Sequence, residues 1–130
     1  MSKFDLTRPT DAELSILRVL WQQGPSTVRQ VYEILSQERE IGYTTILKLM
    51  QIMNEKGLVE RDESERTHIY HPKFTEEQTQ QQLVSDLLVK AFGGSASQLV
   101  MQALSAKPAT ADELARIRQL LDKLEGGKKR

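Results

Sequence analysis

The run Gly42-Tyr43-Thr44-Thr45-Ile46-Leu47-Lys48-Leu49-Met50-Gln51-Ile52-Met53-Asn54-Glu55-Lys56-Gly57 decides how this chain is read. Ile46, Leu49, Met50 and Met53 recur at i, i+3, i+4 and i+7, the spacing of one apolar stripe on an amphipathic helix. The opposite face carries Thr44, Lys48, Gln51 and Glu55, with Leu47 and Ile52 as apolar shoulders that the core stripe does not account for. Hydroxyls and amides exchange hydrogen bonds with base edges, lysine reaches guanine or phosphate, and an aliphatic group packs on the thymine methyl, so this face suits a DNA major groove. An ordinary solvated face has the same composition, and the helix alone does not separate the two readings.

The neighbours of the run narrow the choice. After Gly57, a helix C-cap, the period changes from 3.6 to 2: Leu58-Val59-Glu60-Arg61 and Thr67-His68-Ile69-Tyr70-His71 alternate as strands, Asp62 to Arg66 form a polar tip, and Pro72 ends the second strand. Upstream, Thr10-Asp11-Ala12-Glu13 is a capping box that starts a first helix with Leu14, Leu17, Leu20 and Trp21 inward, stopped by Gly24-Pro25. Ser26 is a suitable N-cap for a second helix to about Gln37, with Val28, Val31, Tyr32 and Leu35 inward and a polar start able to offer backbone N–H groups to phosphate. Residues 1–9 lack periodicity and are expected to be a mobile arm, with Lys3 and Arg8 in reach of phosphate. Three helices followed directly by a hairpin are the order of a winged helix-turn-helix domain, here over residues 1–73.

Composition sets the terms. At 130 residues the chain is one domain or a small domain with an appendage. It has no long apolar run and no leader pattern, so it is expected to be soluble and cytoplasmic, without membrane insertion. The absence of cysteine excludes disulfides and thiolate metal sites. Eighteen basic residues balance eighteen acidic ones, so DNA binding, if present, needs locally concentrated positive charge. On the hairpin Arg61, Arg66 and His68 can meet phosphates, but Asp62, Glu63 and Glu65 lie among them, and a merely solvated tip fits equally well. His68 and His71, three apart on a strand, should point to opposite faces, a poor arrangement for a shared metal.

From Thr75-Glu76-Glu77-Gln78, a second capping box, the chain returns to helix. Gln78 to Gln82 are polar all round, and then Leu83, Val84, Leu87, Leu88 and Phe92 supply a stripe. Gly93-Gly94 breaks that helix, Leu99, Val100, Ala103 and Leu104 mark the next, Pro108 stops it, and Thr110-Ala111-Asp112-Glu113 opens a last one with Leu114, Ile117, Leu120, Leu121 and Leu124. Residues 126–130 are expected to be a disordered basic tail. Three such short helices bury little by themselves, so residues 74–125 are expected to pair with a second copy, the alternative being to fold back on the first domain. The candidate dimer contacts are Leu83, Leu87, Leu88, Phe92, Leu99, Val100, Leu104, Leu114, Ile117 and Leu121.

Thr10-Asp11-Ala12-Glu13, Val19-Leu20-Trp21, Val31-Tyr32, Tyr43-Thr44-Thr45-Ile46-Leu47 and Glu55-Lys56-Gly57-Leu58-Val59, with the later Ala91-Phe92-Gly93-Gly94-Ser95 and Leu99-Val100, carry a resemblance over nearly the whole chain. The chain resembles the penicillinase-repressor family of bacterial regulators. That resemblance implies a fold that is mainly α with a small β-hairpin, a winged helix-turn-helix domain followed by a three-helix dimerisation segment. It also implies a homodimeric repressor on a palindromic operator, commonly with TACA and TGTA half-sites, released in the better-known members when a membrane-bound antibiotic sensor triggers proteolysis of the dimerisation segment. By position, Tyr43, Thr44, Thr45, Leu47, Lys48 and Gln51 would face the groove. The staphylococcal type has an Asn-Phe bond where this chain has Gln102-Ala103, the candidate cleavage position, and has arginines where this chain has Leu47 and Ile52. The family's copper-responsive branch carries a cysteine-rich tail that is absent here.

The expected function is therefore sequence-specific repression by a homodimer whose partners are operator DNA, a second copy and an inducing protease, with no cofactor and no metal. A winged-helix module that binds protein would explain the zero net charge directly, and salt dependence separates the two readings. No nucleophile and base pair, metal-ligand cluster or phosphate loop points to an enzyme.

Overall fold

The computed structural model describes residues 8–128, as six helices and one two-stranded hairpin. The helices are α1 Asp11–Gln23, α2 Val28–Leu35, α3 Tyr43–Lys56, α4 Glu76–Phe92, α5 Ala96–Ala106 and α6 Ala111–Lys128; strands β1 Val59–Asp62 and β2 Ile69–Pro72 follow α3. Two compact units divide after Val84, inside α4. Lys3, named above for the N-terminal arm, lies outside the described residues. Among those residues no helix is long and apolar enough to cross a membrane.

In the first unit three of the four residues of the α3 stripe are fully buried: Ile46, Met50 and Met53 are each 0% exposed, and Leu49 packs partly buried against them. They meet Ile16, Leu17, Val19 and Leu20 of α1, Val28, Val31 and Leu35 of α2, and Leu58, Val59 and Tyr70 of the hairpin in one core. Helix α1 packs against α2, α3 and β2 at once. Its buried face is accordingly wider than one stripe: Ile16 and Val19 are buried, whereas Leu14 and Trp21 are only partly so. Trp21 Nε1 donates to the Phe74 carbonyl at 3.1 Å, tying α1 to the chain after the hairpin.

Two local expectations are corrected. The N-cap of α2 is Thr27, whose hydroxyl accepts from Gln30 N at 3.2 Å while the Gln30 side chain accepts from Thr27 N at 2.8 Å. Ser26 is instead buried and bridges to β2, donating its N–H to Tyr70 O at 3.0 Å and accepting from Tyr70 N at 2.8 Å. Arg8 and Pro9 are not part of a free arm: Pro9 is buried, and the Arg8 carbonyl accepts from Lys56 Nζ at 3.3 Å. The same ammonium lies 2.7 Å from Glu13 Oε1, a carboxylate 2% exposed that also accepts from Thr10 N. Glu13 thus caps α1 and holds the last turn of α3, each charge at the helix end whose dipole favours it.

Gly57 takes the left-handed conformation at the end of α3 (φ 82°, ψ 18°), a region that costs an L side chain, and the chain reverses into β1. The strands pair antiparallel with Val59 opposite Pro72, Glu60 opposite His71, Arg61 opposite Tyr70 and Asp62 opposite Ile69. In the second unit Gly93 and Gly94 (φ 55° and 85°) end α4, and Ser95 and Thr110 cap the two later helices. Helix α6 continues through Gly126 and Gly127 to Lys128, where sequence suggests a disordered end; extending an established helix costs only about 1 kcal/mol per glycine.

Met50→Ala should lower the stability of the first unit by about 2–5 kcal/mol, because the site is fully buried. Lys48→Ala, two residues away on the solvated face, should change it by less than about 0.5 kcal/mol in the same urea titration. Equal losses would mean that the stripe is assigned to the wrong face.

Candidate nucleic-acid interface

With the stripe buried, the rest of α3 turns outward. Tyr43, Thr44, Thr45, Lys48 and Gln51 are exposed, and the shoulders Leu47 and Ile52 are half-buried. Gly42 caps the helix without a side-chain hydrogen bond. One flank of this face opens into a groove of about 610 Å³. Tyr43, Leu47 and Gln51 of α3 line it together with Thr27, Arg29 and Gln30 at the start of α2, Glu33 one turn further along it, and Arg61, Arg66, Thr67, His68 and Tyr70 of the hairpin. Of the candidate DNA contacts, the structure therefore gathers Tyr43, Leu47, Gln51, Arg61, Arg66 and His68 around one concavity. Thr44, Thr45 and Lys48 lie on the remaining outer surface of α3 and do not line it.

The Ser26–Tyr70 bridge brings the hairpin to this position. Tyr70 is buried, and Arg61 lies opposite it across the ladder. Hydrogen bonding to the Tyr70 side chain, then to Glu63, raises the Arg61 pKa above its ordinary value, so the guanidinium stays charged. Glu63 meets both Arg61 Nε and an Arg61 terminal nitrogen at 3.2 Å and lies 3.9 Å from His68 Nε2. Asp62 accepts the Ser64 N–H at 2.9 Å, the side-chain turn that a short carboxylate makes two residues ahead. Two of the three acidic groups at the tip are thus held by their own loop.

The sequence reading missed Thr27, Arg29, Gln30 and Thr67. Arg29 Cζ sits 5.1 Å from the centroid of the Tyr43 ring, and Tyr43 meets Tyr32 edge-on with centroids 5.7 Å apart and planes at 80°. Such contacts are worth about 0.5–1 kcal/mol each at an exposed site and join α2 to α3. The polar start of α2 was the available signal, but which of its residues faces α3 depends on how the two helices cross.

Along α4, α5 and α6 the apolar side chains are in place but uncovered. Val84, Leu87, Val100, Leu104, Leu120, Leu121 and Leu124 are exposed, with Val89 and Met101 at 71% and 66%. Leu83, Leu88, Phe92, Leu99, Leu114 and Ile117 are half-buried, and among the described residues from 85 to 127 none is buried. Gln102 and Ala103 are exposed within α5.

Three helices about one core, with an antiparallel hairpin after the third, define the winged helix-turn-helix class. The chain matches the penicillinase repressor family over residues 9–123, nearly its full length, and it belongs to that family of transcriptional repressors. It is 33% identical over 123 residues to the transcriptional regulator BlaI of Mycobacterium tuberculosis (strain ATCC 25618 / H37Rv), covering 94% of this chain and 88% of that one. It is 22% identical over 120 residues to the penicillinase repressor of Bacillus licheniformis, covering 92% and 94%. Among solved structures, the DNA binding domain of the repressor BlaI superposes with a TM-score of 0.50 at 24% identity, over 55% of this chain and 87% of that one, a likeness of fold.

The Ser64 N–H bond holds the Asp62 carboxyl below its ordinary value of 3.8. A depressed folded value means that the bond contributes above the unfolded pKa and is lost as pH falls through the folded one. The Ser64 amide shift should therefore titrate with a midpoint below 3.8; a midpoint at or above it would show that the tip is not closed by Asp62.

Proposed function

We propose that the chain is a DNA-binding transcriptional repressor, not an enzyme, that acts as a homodimer on a palindromic operator and is released by an inducing signal such as proteolysis of the dimerisation segment. The observation that carries the reading is the placement of charge. In a chain with no net charge, the groove beside α3 is lined by Arg29, Arg61 and Arg66 against Glu33, with Glu63 paired to Arg61 beside it. Concentrated positive charge next to an outward polar helix face is what a duplex needs: phosphate contacts for position and base-edge contacts for sequence. Lys48 and Gln51 read base edges, Thr44 and Thr45 bond phosphate or bases, and Leu47 packs on a thymine methyl. Arg61, Arg66 and His68 meet the backbone. Residues 1–73 form the binding domain and 74–125 the dimerisation segment.

Self-association is supported by the exposed apolar side chains of α4, α5 and α6, among them Val89 and Met101 at 71% and 66%. A two-fold pair presents two α3 helices to two half-sites. Gln102 and Ala103 lie in this segment, where a cut would separate the copies.

Operator sites selected from genomic DNA should form a short palindrome. The double variant Lys48→Ala with Gln51→Ala should bind the operator about tenfold or more weakly, and its sedimentation should not change. Parent affinity should fall steeply between roughly 50 and 200 mM salt. Unaltered affinity in the double variant would sink the groove assignment, and salt-independent binding with no enriched sequence would favour a protein partner. Leu87→Glu with Leu121→Glu should sediment as a monomer at micromolar concentration where the parent is a dimer, while the urea midpoint of the first unit stays put.

A further inference from the structure

We propose that Arg29 is a phosphate anchor that sets how α3 docks on a duplex, and that Tyr43 is the positioning residue that holds it. The inference rests on the DNA-binding reading above. Arg29 stands in the first turn of α2 and Tyr43 in the first turn of α3, so the pair links two helix starts on one wall of the groove. The guanidinium lies 5.1 Å from the Tyr43 ring centroid, and the ring is propped by the edge of Tyr32. Both Arg29 and Tyr43 are exposed, whereas Tyr32 is half-buried.

The chemistry of the pair differs from that of the arginine on the hairpin. Arg61 is partly neutralised by Glu63 at 3.2 Å. Among the described residues no carboxylate lies within ion-pair distance of Arg29. A ring face restrains a guanidinium without cancelling its charge and without occupying its N–H edge, so five donors stay available to a phosphate oxygen. An arginine already held in place loses less freedom on binding than one on a free stem. Its contact is to the backbone and therefore carries no sequence preference, but it fixes the register in which Lys48 and Gln51 meet the bases.

The test is fluorescence anisotropy with the full chain on the selected operator and on a random duplex across a salt series, alongside thermal melts. Arg29→Ala should weaken both duplexes by the same factor and reduce the slope of log K against log salt by about 1.8, the value for two phosphates, one per protomer of the dimer. Arg29→Lys should keep the slope, since the charge remains, but bind more weakly because the planar stack is lost. Tyr43→Ala should weaken both duplexes, and Tyr43→Phe, which keeps the ring under the guanidinium, should bind both more tightly than Tyr43→Ala. An unchanged slope in Arg29→Ala, even with a lowered melting point, would overturn the inference and leave the pair as an α2–α3 brace. A loss confined to the operator would also overturn it, since Arg29 would then read a base. A parent that bound neither duplex would overturn the DNA-binding reading itself, a result distinct from both.

Discussion

The first unit depends on the complete burial of one stripe of α3. Ile46, Met50 and Met53 are withdrawn entirely from water, and at 3.6 residues per turn this leaves the helix no rotational freedom. A turn of some 100° about its axis would expose side chains each worth about 1.5–3 kcal/mol of burial and press Lys48 or Gln51 into the core. The outward set is thus a consequence of the inward one. Gly57 and the Glu13–Lys56 pair then fix the C-terminal end: the glycine turns the chain into β1, and the buried carboxylate anchors the last helical turn to α1.

The hairpin is constrained by a different kind of contact. A two-stranded ribbon is marginal alone, and here Tyr70 carries it, with its side chain in the core and both its backbone groups bonded to Ser26. That bridge makes the turn between α1 and α2 a third, one-residue partner of the sheet. One wall of the groove is then the start of α2 and the other is the hairpin, with α3 between them. Arg29 of α2 shares a concavity with Arg61 and Arg66 of the hairpin, more than thirty residues away, and the Ser26–Tyr70 bridge ties the two elements together. At about 8 Å of screening length in physiological salt, charges that share a groove act together and charges across the molecule do not. A net charge of zero says little about such a surface.

Periodicity and capping chemistry were legible in the sequence because both are local. Most of the α3 stripe, the capping boxes at Thr10 and Thr75, the helix start at Thr110 and the change of period after Gly57 each involve residues within about two helical turns, and the structure has them where the pattern places them. Ser26 was misread on residue type alone: Thr27-Val28-Arg29-Gln30 is itself a capping box that starts α2, while Ser26 is taken up by its bridge to Tyr70, more than forty residues away. The width of the α1 buried face, with Ile16 and Val19 added, follows from its three neighbours and not from its own pattern. Glu13 looked like a cap and is also an ion-pair partner; Arg29, which the sequence pattern did not single out, lies on an aromatic ring. Both second roles are set by tertiary partners that sequence spacing does not specify.

The two units solve opposite problems of burial. The first closes a core about α3 and spends its polar residues on an outward face. The second has apolar residues at helical spacing on all three helices and, among the described residues, buries none of them. Conformational entropy of roughly 1–2 kcal/mol per ordered residue is not offset by side chains left half in water, so the second unit draws on a source of burial beyond itself. On the proposed reading that source is the second copy, and stability then depends on protomer concentration. The same dependence gives regulation a simple handle. In such a pair two half-site contacts held together would act at an effective concentration far above that of free protomers, and operator affinity would exceed what one groove with a few arginines supplies. A signal that parts the copies removes that gain without touching α3, and sequence recognition and release can change independently.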